Sequence, residues 1–589
     1  MIKLQVPGSK SITNRALIAA ALADGKNTLK NCLESDDVLH MKRALGILGI
    51  KIKKSGKDLR VDGGKFHRTH KILCGNAGTA MRFLAAVLAA QPFESILYGD
   101  ERMNKRPIGD LIDGLLQLGA QAKSLNKDNC PPIRVKGPIK GGVCKIRGNV
   151  SGQFLSGLLL AAPLAQKDVR IQIIGDLVSK PYVDMTIKVM ASFGVCVEQN
   201  GYKEFRVRAG QKYRPQTFAI EGDASAATYF WGISALTGEK IEITNVPKDT
   251  IQADAVTKSK MLNCHPELAA PRPAVVSGST DWHDVKVNCS DFPDGAMTLA
   301  MFCAFMKGKT ELTGLANLRV KECDRLHALA TELNKIGCQV KEKSDGLIIN
   351  GNPEKLHGAE IETYNDHRMA MCFGMASFVL PGIKIKNPGC VSKTYPNFWK
   401  DLRNLKKRFL ERNIILTGMR GCGKTRIGKL VAKKLGRRFI DIDKYIEEKV
   451  KMTVREIVAQ KGWRSFRKLE MQAAKKLGVM KNLVISTGGG TLMFASNACA
   501  LKRNGKVILL DCSIPVIKKR LINQTDRPSL TGTKSFIVEL EEIYNKRESQ
   551  YKKVADAVID VSLQTKNKEH DLEEKSDRII AQAYRFGLV

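Results

Sequence analysis

The sequence predicts an α/β protein made of two successive parts, and three observations support that prediction. Apolar helices with a small or polar start recur roughly every seventy residues through the first four hundred. Amphipathic helices lie between them, end in glycine and pass into strands. A glycine-rich loop then joins an apolar run to a helical pattern over residues 413–435. These features predict a large helix-centred α/β region followed by a second α/β domain.

The recurring helices are apolar on almost every side, so they are expected to be buried. With strands outside them, six such units predict two globular halves. The six segments are SITNRALIAAALA from Ser11, GNAGTAMRFLAAVLAA from Gly75, SGQFLSGLLLAAPLA from Ser151, DASAATYFWGISALTG from Asp223, DFPDGAMTLAMFCAF from Asp291 and NDHRMAMCFGMASFVL from Asn365.

The amphipathic helices end at glycines that fit the left-handed position after a helix, namely Gly49, Gly119, Gly194 and Gly337. The clear strand patterns among these units are VRIQIIG and EKIEITNV. Other strands of this region are only weakly marked.

The polar starts of the buried helices predict an anion site, because helix N-termini that face one cleft attract negative charge. Basic and polar residues cluster at these starts and in the adjoining loops: Lys10, Ser11, Arg15, Asn76, Arg82, Arg106, Ser151, Gln153, Ser179, Lys321, Arg325, Arg368 and Lys393. The carboxylates Asp294, Glu322 and Asp324 stand among them and are candidates for acid–base work. The pattern favours a substrate that carries phosphate and carboxylate groups.

Ten motifs, in order, resemble the 5-enolpyruvylshikimate-3-phosphate (EPSP) synthases over about residues 1–403. They are PGSKSITNRAL (7–17), GNAGTAMRFLAA (75–86), KRPIGDL (105–111), PPIRVKG (131–137), SGQF (151–154), SKPYVDMT (179–186), DFPDGAMT (291–298), LRVKECDRL (318–326), YNDHRMAM (364–371) and SKTYPNFW (392–399). The resemblance implies a two-lobed inverted α/β barrel of six α/β repeats. The sister family that modifies UDP-N-acetylglucosamine lacks the S-K-P-Y and N-D-H-R patterns.

The resemblance also implies roles for individual residues. Asp294 and Glu322 are expected to move protons, with Lys10 and Lys393 also catalytic, and no cofactor is implied. Phosphoenolpyruvate is expected at Lys10, Arg106, Gln153, Arg325, Arg368 and Lys393, and Asn76 and Gly78 are further substrate-binding candidates. Shikimate 3-phosphate is expected at Ser11, Arg15, Ser151, Ser179, Asp294 and Lys321. Two positions depart from the family: Gly152 replaces a common serine, and Phe83 stands where proline is frequent, which is expected to reshape a helix start.

The second part opens on a complete phosphate loop, G-x-x-x-x-G-K-T, at residues 418–425. Its glycines let the backbone wrap around an anion. The Lys424 ammonium is placed to reach the β- and γ-phosphates of a nucleotide, and the Thr425 hydroxyl to bind Mg²⁺.

Further motifs follow the loop. Asp441 and Asp443 stand two apart at a predicted strand end, where one fits Mg²⁺ and the other a hydroxylated substrate, although helix capping explains the pair equally well. Arg467 and Glu470 lie on adjacent helical turns, and Gly488–Gly490 follow a strand. Arg527 stands in a proline-bounded candidate lid. Asp511 ends a buried strand, where we interpret it as the start of a turn.

These elements resemble the shikimate kinases over about residues 412–562, a family with a five-stranded parallel sheet of nucleoside-monophosphate-kinase type. The resemblance implies ATP with Mg²⁺ as cofactor and assigns Asp443, Lys424 and Arg527 to catalysis. It assigns ATP to Gly418, Gly421, Cys422, Gly423, Lys424, Thr425, Arg520 and Arg527. It assigns Mg²⁺ to Thr425 and Asp441, and shikimate to Asp443, Arg467, Gly488, Gly489, Gly490 and Arg547.

The two parts are expected to abut, because the connecting stretch KDLRNLKKRFLE (400–411) lacks glycine, proline and serine and reads as helix. We predict domains at 1–408 and 409–589, with a charged tail from Gln564 as solvated helix or linker. The same two modules adjoin in the multi-enzyme arom polypeptide, and their predicted reactions are consecutive: one part makes the phosphate that the other consumes.

Composition narrows the alternatives. The net charge of +37 is spread over both parts and lacks aromatic interleaving, so we predict small anionic substrates and no nucleic acid. Fifteen scattered cysteines without a C-x-x-C pair fit a reduced, cytoplasmic protein. Neither a signal peptide nor a membrane-spanning run is expected. Two alternative interpretations remain. In the first, only one domain is catalytically active and the other is structural or regulatory; in the second, the chain is a basic P-loop protein that binds nucleic acid.

Overall fold

The computed structural model describes residues 2–126, 128–264, 284–521, 536–563 and 567–589. Over the first 410 residues its helices are α1 (Lys10–Leu22), α2 (Asp36–Ile47), α3 (Gly78–Leu88), α4 (Gly109–Gln117), α5 (Gly152–Ala161), α6 (Lys180–Ser192), α7 (Ala224–Thr237), α8 (Val256–Cys264), α9 (Pro293–Ala304), α10 (Arg325–Lys335), α11 (His367–Ala376) and α12 (Phe398–Leu410).

The strands of the same region are short and mostly polar on one face. They are β1 (Ile2–Leu4), β2 (Gly25–Lys30), β3 (Lys51–Ser55), β4 (Asp58–Gly63), β5 (Lys71–Leu73), β6 (Glu94–Tyr98), β7 (Gln121–Ser124), β8 (Ile133–Lys136), β9 (Gly142–Arg147), β10 (Val169–Ile174), β11 (Glu198–Asn200), β12 (Glu204–Val207), β13 (Thr217–Ala219), β14 (Ile241–Ile243), β15 (Val285–Asn288), β16 (Gly308–Thr313), β17 (Gln339–Lys343), β18 (Gly346–Gly351), β19 (Glu360–Ile361) and β20 (Lys384–Ile385).

These strands form small sheets that lie outside the apolar helices, as the sixfold pattern predicted. Four-stranded sheets run in the orders β13-β2-β4-β3, β5-β6-β8-β7, β11-β12-β10-β9 and β15-β16-β18-β17. Shorter pairs join β1 to β14 and β19 to β20. Each four-stranded sheet mixes parallel and antiparallel neighbours, for example β9 parallel and β12 antiparallel to β10.

The region divides into two lobes with separate cores. Helices α1, α3 and α5 are buried in lobe 1 (residues 9–222), and α7, α9 and α11 are buried in lobe 2 (residues 2–8 and 223–410). The chain crosses between the lobes at Gly8 and near Gly222, which pair as an isolated antiparallel bridge. The two crossings therefore lie side by side.

The glycines predicted to end the amphipathic helices do so. Gly49, Gly119, Gly194 and Gly337 all have positive φ, between 84° and 91°. In lobe 1, Gly119 follows α4 and Gly194 follows α6. These helix ends turn the chain into the outer strands, as expected from the sequence.

The second part is a parallel sheet with helices around it. Its strands are β21 (Asn413–Thr417), β22 (Arg438–Asp441), β23 (Leu483–Ser486), β24 (Gly505–Asp511) and β25 (Ala557–Asp560), in the order β22-β23-β21-β24-β25, and every pairing is parallel. Its helices in the described residues are α13 (Lys424–Lys434), α14 (Ile442–Val450), α15 (Val454–Val479), α16 (Ala495–Lys502), α17 (Ile514–Leu521), α18 (Phe536–Val554) and α19 (Lys568–Arg585).

The C-terminal tail is a structural helix and not the solvated extension that its charge suggested. One face of α19 buries Ile579 and Ala583 in the core of the second part, and Leu588 beyond its end is fully buried too. The Lys575 ammonium donates to the Leu563 carbonyl at 2.5 Å. Apart from the buried Asp571 and Lys575, the charged residues of α19 are exposed, so the composition of the tail concealed its apolar stripe.

The two parts meet at a polar and aromatic junction. The Glu239 carboxylate, in lobe 2, pairs with Arg412 and with Lys506, the latter at 3.0 Å. The Arg437 guanidinium donates to the carbonyls of Leu410 and Leu588. Helix α12 connects the parts directly, as predicted. Among the described residues, every helix is too short or too polar to cross a membrane.

Candidate active sites

The first site lies in the cleft between the lobes, where the buried helices begin. Polar caps stand at these starts: Ser9 before α1, Ser151 before α5, Asp223 before α7 and Asp366 before α11. Because the first N–H groups of a helix have no partner within it, such starts leave donors and positive potential facing the cleft.

Five largely buried charged side chains form the centre of this site. Arg325 pairs with Asp366 at 2.7 Å, with Glu322 at 2.8 Å and with Asp294 at 2.9 Å. Arg368 pairs with Asp294 at 2.7 Å. The structure thus brings together the two predicted acid–base residues and two predicted phosphoenolpyruvate ligands.

Lysines from both ends of the region reach the same cluster. The ammonium groups of Lys10 and Lys393 flank Asp37, at 3.1 Å and 3.2 Å from its two oxygens. Lys393 also lies 3.6 Å from Glu322 and donates to the Asn76 carbonyl at 2.5 Å. Since Lys393 belongs to lobe 2 and Asn76 to lobe 1, this contact joins the lobes.

Arg106 completes the cluster from lobe 1. Its guanidinium donates to the Asn76 side chain at 3.1 Å and lies 4.0 Å from Glu322. A Cβ on Gly78 would lie 2.7 Å from Arg82 and 2.9 Å from Arg106, so glycine lets both guanidinium groups approach the start of α3.

The electrostatics of the cluster keep both central carboxyls ionised. Burial by itself raises the pKa of Asp294, but Arg368, Lys321 and Arg325 outweigh it and lower that pKa far below its usual range. The pKa of Glu322 is lowered well below its usual value in the same way, with Arg325 as the largest opposing charge.

The cations respond in two directions. Burial lowers the pKa of Arg325 and of Arg368, yet their carboxylate partners raise both above the ordinary value. Burial lowers the pKa of Lys321 to about 8 despite the attraction of Asp294. Burial and Arg368 lower the pKa of His367 well below its usual value, so this imidazole is neutral.

A cavity beside the cluster gathers half of the residues predicted for shikimate 3-phosphate, together with two predicted for phosphoenolpyruvate. It is lined by Arg106, Ser151, Gln153, Ser179 and Lys321, among others. Ser151 caps α5 by accepting from the Gln153 N–H at 3.3 Å. Ser179 has φ of 57°, a left-handed conformation that non-glycine residues rarely adopt outside constrained sites.

Arg15 and Ser11, also predicted to contact shikimate 3-phosphate, are not among the residues that line this cavity. The Arg15 guanidinium is buried and donates to Thr186 at 2.7 Å, to the Ser11 carbonyl at 2.9 Å and to the Tyr182 carbonyl at 3.0 Å. It also lies over the Phe83 ring, 5.1 Å from the centroid. The Arg15 side chain therefore ties α1 to α6.

The two departures from the family pattern have local explanations. Phe83 is fully buried in the middle of α3, not at its start, so it does not reshape the helix start as expected. Gly152 is the first residue of α5, directly after Ser151, and keeps its backbone N–H at the helix start.

Sequence reasoning missed three buried acidic groups of the cleft: Asp37, Asp254 and Asp366. Asp366 belongs to the N-D-H-R segment, in which only Arg368 was predicted to bind substrate. Asp37 and Asp254 lie in stretches without a recognisable motif, so only the fold brings them to the site.

The second site lies at the carboxyl end of β21, where the phosphate loop begins. Gly418, Gly421 and Gly423 have positive φ, and a Cβ on Gly418 would lie 2.5 Å from the Leu510 carbonyl. The Lys424 ammonium lies inside the loop and donates to the carbonyls of Gly418 and Met419, both at 2.9 Å. The loop is therefore a preformed cradle for an anion.

Residues that fit a magnesium ion stand beside this loop. The Thr425 hydroxyl donates to Asp441 at 2.8 Å. A hydroxyl and a carboxylate oxygen are the donors that Mg²⁺ prefers, so this pair suits the ion. Asp441 also caps α14 by accepting from the Asp443 N–H at 3.2 Å. The Asp441 side chain therefore suits both roles considered from the sequence, helix capping and magnesium binding.

Asp443 is not at a strand end, contrary to the prediction. It lies in the first turn of α14, because the strand stops at Asp441. Its carboxylate faces the glycine run, and a Cβ on Gly488 would lie 2.7 Å from its Oδ1. The helix and not strand alternation sets its direction.

The glycine run collects the other predicted shikimate ligands. The Arg547 guanidinium donates to the Gly489 carbonyl at 3.0 Å. Arg467 lies within 3.0 Å of where a Cβ on Gly490 would be, pairs with Glu470 and packs over Trp463 at 5.1 Å. The glycine run is therefore surrounded by two guanidinium groups, of Arg467 and Arg547, and two carboxylates, of Asp443 and Glu470.

Three other residues complete the comparison with the sequence. Arg520 donates to the carbonyls of Gly421 and Cys422, and so lies against the phosphate loop. Asp511 ends β24 and accepts from the Tyr544 hydroxyl at 3.1 Å, in keeping with a turn residue. Arg527 lies outside the described residues.

The two sites define the class of protein: an α/β enzyme that binds anionic small molecules between two lobes, joined to a P-loop kinase. The family model of EPSP synthase (3-phosphoshikimate 1-carboxyvinyltransferase) matches residues 2–402. Over that range the chain belongs to the EPSP synthase family. The shikimate kinase model matches residues 420–583, which include most of α19.

Individual relatives agree. A 3-phosphoshikimate 1-carboxyvinyltransferase of Aliivibrio salmonicida is 43% identical over 412 residues, 68% of this chain and 96% of the relative. Its counterpart in an Escherichia coli O1:K1 strain is 42% identical over 409 residues, with the same two coverages. An EPSP synthase structure from Acinetobacter baumannii is 26% identical, covers 68% of this chain and 95% of its own, and has a TM-score of 0.57.

Both parts are thus enzymes of the shikimate pathway, and the chain is bifunctional. Its substrates are small molecules, and the kinase part uses ATP.

Proposed function

We propose that the kinase part phosphorylates shikimate at the glycine-run pocket and that the transferase part then adds an enolpyruvyl group in the cleft. The observation that supports this most is the double clustering of charge. One cleft holds Arg325, Arg368, Lys10 and Lys393 around two ionised carboxylates, and one pocket holds Arg467 and Arg547 beside a phosphate loop.

In the transferase cleft, the cations neutralise the phosphate and carboxylate of phosphoenolpyruvate. Asp294, already ionised, takes the proton from the attacking hydroxyl of shikimate 3-phosphate. Glu322 gives a proton to the methylene carbon of phosphoenolpyruvate as the hydroxyl oxygen bonds to the adjacent carbon, and a proton is removed from that methyl group as inorganic phosphate leaves, which restores the double bond. Binding of two anions draws Arg325 and Arg368 away from these carboxylates, which raises the carboxyl pKa values and suits them to hold a proton.

In the kinase part, Asp443 accepts the shikimate hydroxyl proton while Arg467 and Arg547 hold the carboxylate. The Lys424 ammonium exchanges its loop carbonyls for phosphate oxygens. Thr425 and Asp441 hold Mg²⁺, which supplies charge neutralisation on the phosphates when bound. We assign Arg520 to the nucleotide side of the loop and Arg527 to a lid.

We further propose where the parts divide and where the protein acts. The lobe 2 core ends at Phe409 and the kinase core begins at Ile414, which supports a division within 410–413, slightly later than the 408/409 boundary predicted from sequence. The scattered cysteines support a reducing, cytoplasmic location, which cell fractionation tests.

The test is a coupled assay with shikimate, ATP, Mg²⁺ and phosphoenolpyruvate, in which EPSP is measured. Lys424→Met should abolish EPSP formation from shikimate but leave it intact when shikimate 3-phosphate is supplied. Lys429→Met, on the exposed side of the same helix, is the matched control and should retain both reactions. Loss of both reactions in a folded Lys424→Met protein contradicts the division of labour.

A further inference from the structure

Asp254 is a buried carboxylate that joins three helices of the cleft. It lies in lobe 2, just before α8, with 2% of its surface exposed. Its Oδ1 accepts from the Gly295 N–H at 3.0 Å. Its Oδ2 accepts from the Tyr182 hydroxyl at 3.3 Å and from the Ser225 hydroxyl. These partners belong to α9, α6 and α7.

The bond to Gly295 fixes the first turn of α9. That turn carries Asp294, the adjacent residue, and its N–H groups have no acceptor inside the helix. A carboxylate at a helix N-terminus is also favoured by the helix dipole. The turn packs tightly, since a Cβ on Gly295 would lie 2.1 Å from the Thr257 hydroxyl and 3.2 Å from Asp254.

The bond from Tyr182 comes from the other lobe. Tyr182 lies on α6 of lobe 1, whereas Asp254, Gly295 and Ser225 belong to lobe 2. The hydroxyl can reach Asp254 only when the lobes are together. Closure therefore adds a hydrogen-bond donor to the carboxylate that holds the turn of Asp294.

The charges around Asp254 make that donor matter. Two charged groups shift the pKa of Asp254: Asp294 on α9 and Arg368 on α11. Two further ionisable groups lie nearby, since Asp223 at the start of α7 acts on Tyr182 and Tyr229 within that helix acts on Arg368. Burial and the repulsion of Asp294 raise the pKa of Asp254 to about 6. The hydrogen bonds that Tyr182 and Ser225 donate stabilise the ionised Asp254 carboxylate, which in turn accepts from the Gly295 N–H.

We propose that Asp254 is a positioning residue that couples lobe closure, through Tyr182, to the placement of Asp294 for proton transfer. The proposal rests on the assignment of Asp294 made above. Asp254 touches neither substrate; it acts through the first turn of α9. Neither the sequence motifs nor the family assignment supplies this role.

Two conservative variants test it in the full-length protein. Tyr182→Phe removes one hydroxyl and keeps the ring. Asp254→Asn keeps the Oδ1 acceptor and replaces Oδ2 with a group that does not accept. Both should lower the kcat of EPSP formation about 10- to 100-fold, as small misplacements of catalytic groups do, with a smaller change in the KM for phosphoenolpyruvate.

Non-additivity separates positioning from general destabilisation. The double variant Tyr182→Phe/Asp254→Asn should lose no more than the worse single variant, because both remove one interaction. Asp254→Asn should also have little further effect in an Asp294→Ala background. Thr257→Val is the matched control: its hydroxyl, beside the same turn, has no hydrogen bond within the described residues, and kcat should stay near wild type.

Two results overturn the proposal: wild-type kcat in Tyr182→Phe and Asp254→Asn, or an undiminished effect of Asp254→Asn in the Asp294→Ala background. If Asp254→Asn fails to fold, Tyr182→Phe alone decides, since its packing is unchanged. Near-normal turnover of Asp294→Ala itself refutes the catalytic assignment instead, so the two failures are distinguishable.

Discussion

Asp294, Glu322 and Asp324 are carboxylates that the sequence places among the same basic residues, but in the structure they have different partners. Asp294 and Glu322 pair with arginines of the cleft. Asp324 instead caps α10 by accepting from the His327 N–H at 3.1 Å and pairs with Arg319 at 2.8 Å. The sequence named all three as acid–base candidates, and only side-chain direction separates them.

We predict that Asp294→Ala or Glu322→Ala lowers EPSP turnover by on the order of 10²-fold, as expected for lost proton transfer. Steady-state kinetics with supplied shikimate 3-phosphate measure this. Asp324→Asn, which retains a capping side chain, is the control and should keep its turnover. Near-normal kcat in both alanine variants refutes the assignment.

Lys321 gives the transferase a pH dependence with a definite sign. Its pKa is lowered to about 8 by burial, so its charge is present below pH 8 and is lost as the pH rises through that value. The KM for shikimate 3-phosphate should therefore rise above pH 8 and stay level below it. Lys321→Arg, whose side chain remains charged, should move the rise to higher pH. A KM independent of pH from 7 to 9.5 contradicts a role for Lys321 in phosphate binding.

At the scale of elements, helix polarity explains how one architecture serves the first site. The buried helices α7 and α11 start at the cleft, with Asp223 and Asp366 as caps. Their far ends point to the junction with the kinase, where Glu239 and Phe378 lie. The N-terminal ends of α7 and α11 therefore face the cleft, and their C-terminal ends pack at the junction.

Helix α19 yields a prediction at the same scale. Ile579→Ala removes a fully buried side chain and should destabilise the kinase part by about 2–5 kcal/mol. Calorimetry should show the lower-melting unit to be the kinase, with shikimate phosphorylation lost on warming before EPSP formation. Glu574→Ala, on the exposed face, is the control. Unchanged melting of Ile579→Ala contradicts a core role for this helix.

At the scale of the whole molecule, the two sites lie in different parts of the chain, with the junction between them. The cleft lies at the N-terminal end of α7, and the junction lies beyond its other end, about 20 Å along a helix of 14 residues. The phosphate loop lies at the carboxyl end of β21, whose start meets the junction about 17 Å away along five residues. The cleft and the loop are therefore each about one element's length away from the junction between the parts.

We predict from this arrangement that shikimate 3-phosphate leaves the kinase into solvent before the transferase binds it. EPSP formation from shikimate should show a lag. Excess Lys424→Met protein, whose transferase is intact, should capture intermediate made by the wild-type protein in proportion to its concentration. Capture is followed with isotopically labelled shikimate in rapid-quench experiments, in which labelled EPSP is measured with and without the Lys424→Met protein. A rate of EPSP release without a lag, and insensitive to added unlabelled intermediate, contradicts this prediction.

The sequence by itself determined the order of the two enzymes, the six buried helices and most members of both sites. Periodic apolar runs, glycines at helix ends and the phosphate loop each depend on residues that are close in sequence, so they can be recognised before the fold is known. The outer strands were mostly missed because they bury one narrow face: β9, GVCKIR, covers only Cys144 and Ile146 and otherwise resembles a polar loop.

Tertiary structure decided the rest, because it depends on contacts between distant residues. Asp37 and Asp254 become part of the cleft only when lobes and helices bring them to Lys393 and Tyr182, more than seventy residues away in each case. The apolar stripe of α19 matters only because α13 and the sheet lie beneath it. The junction that separates the two sites is formed by Glu239, Arg412 and Lys506, which are distant in sequence, so no local pattern encodes it.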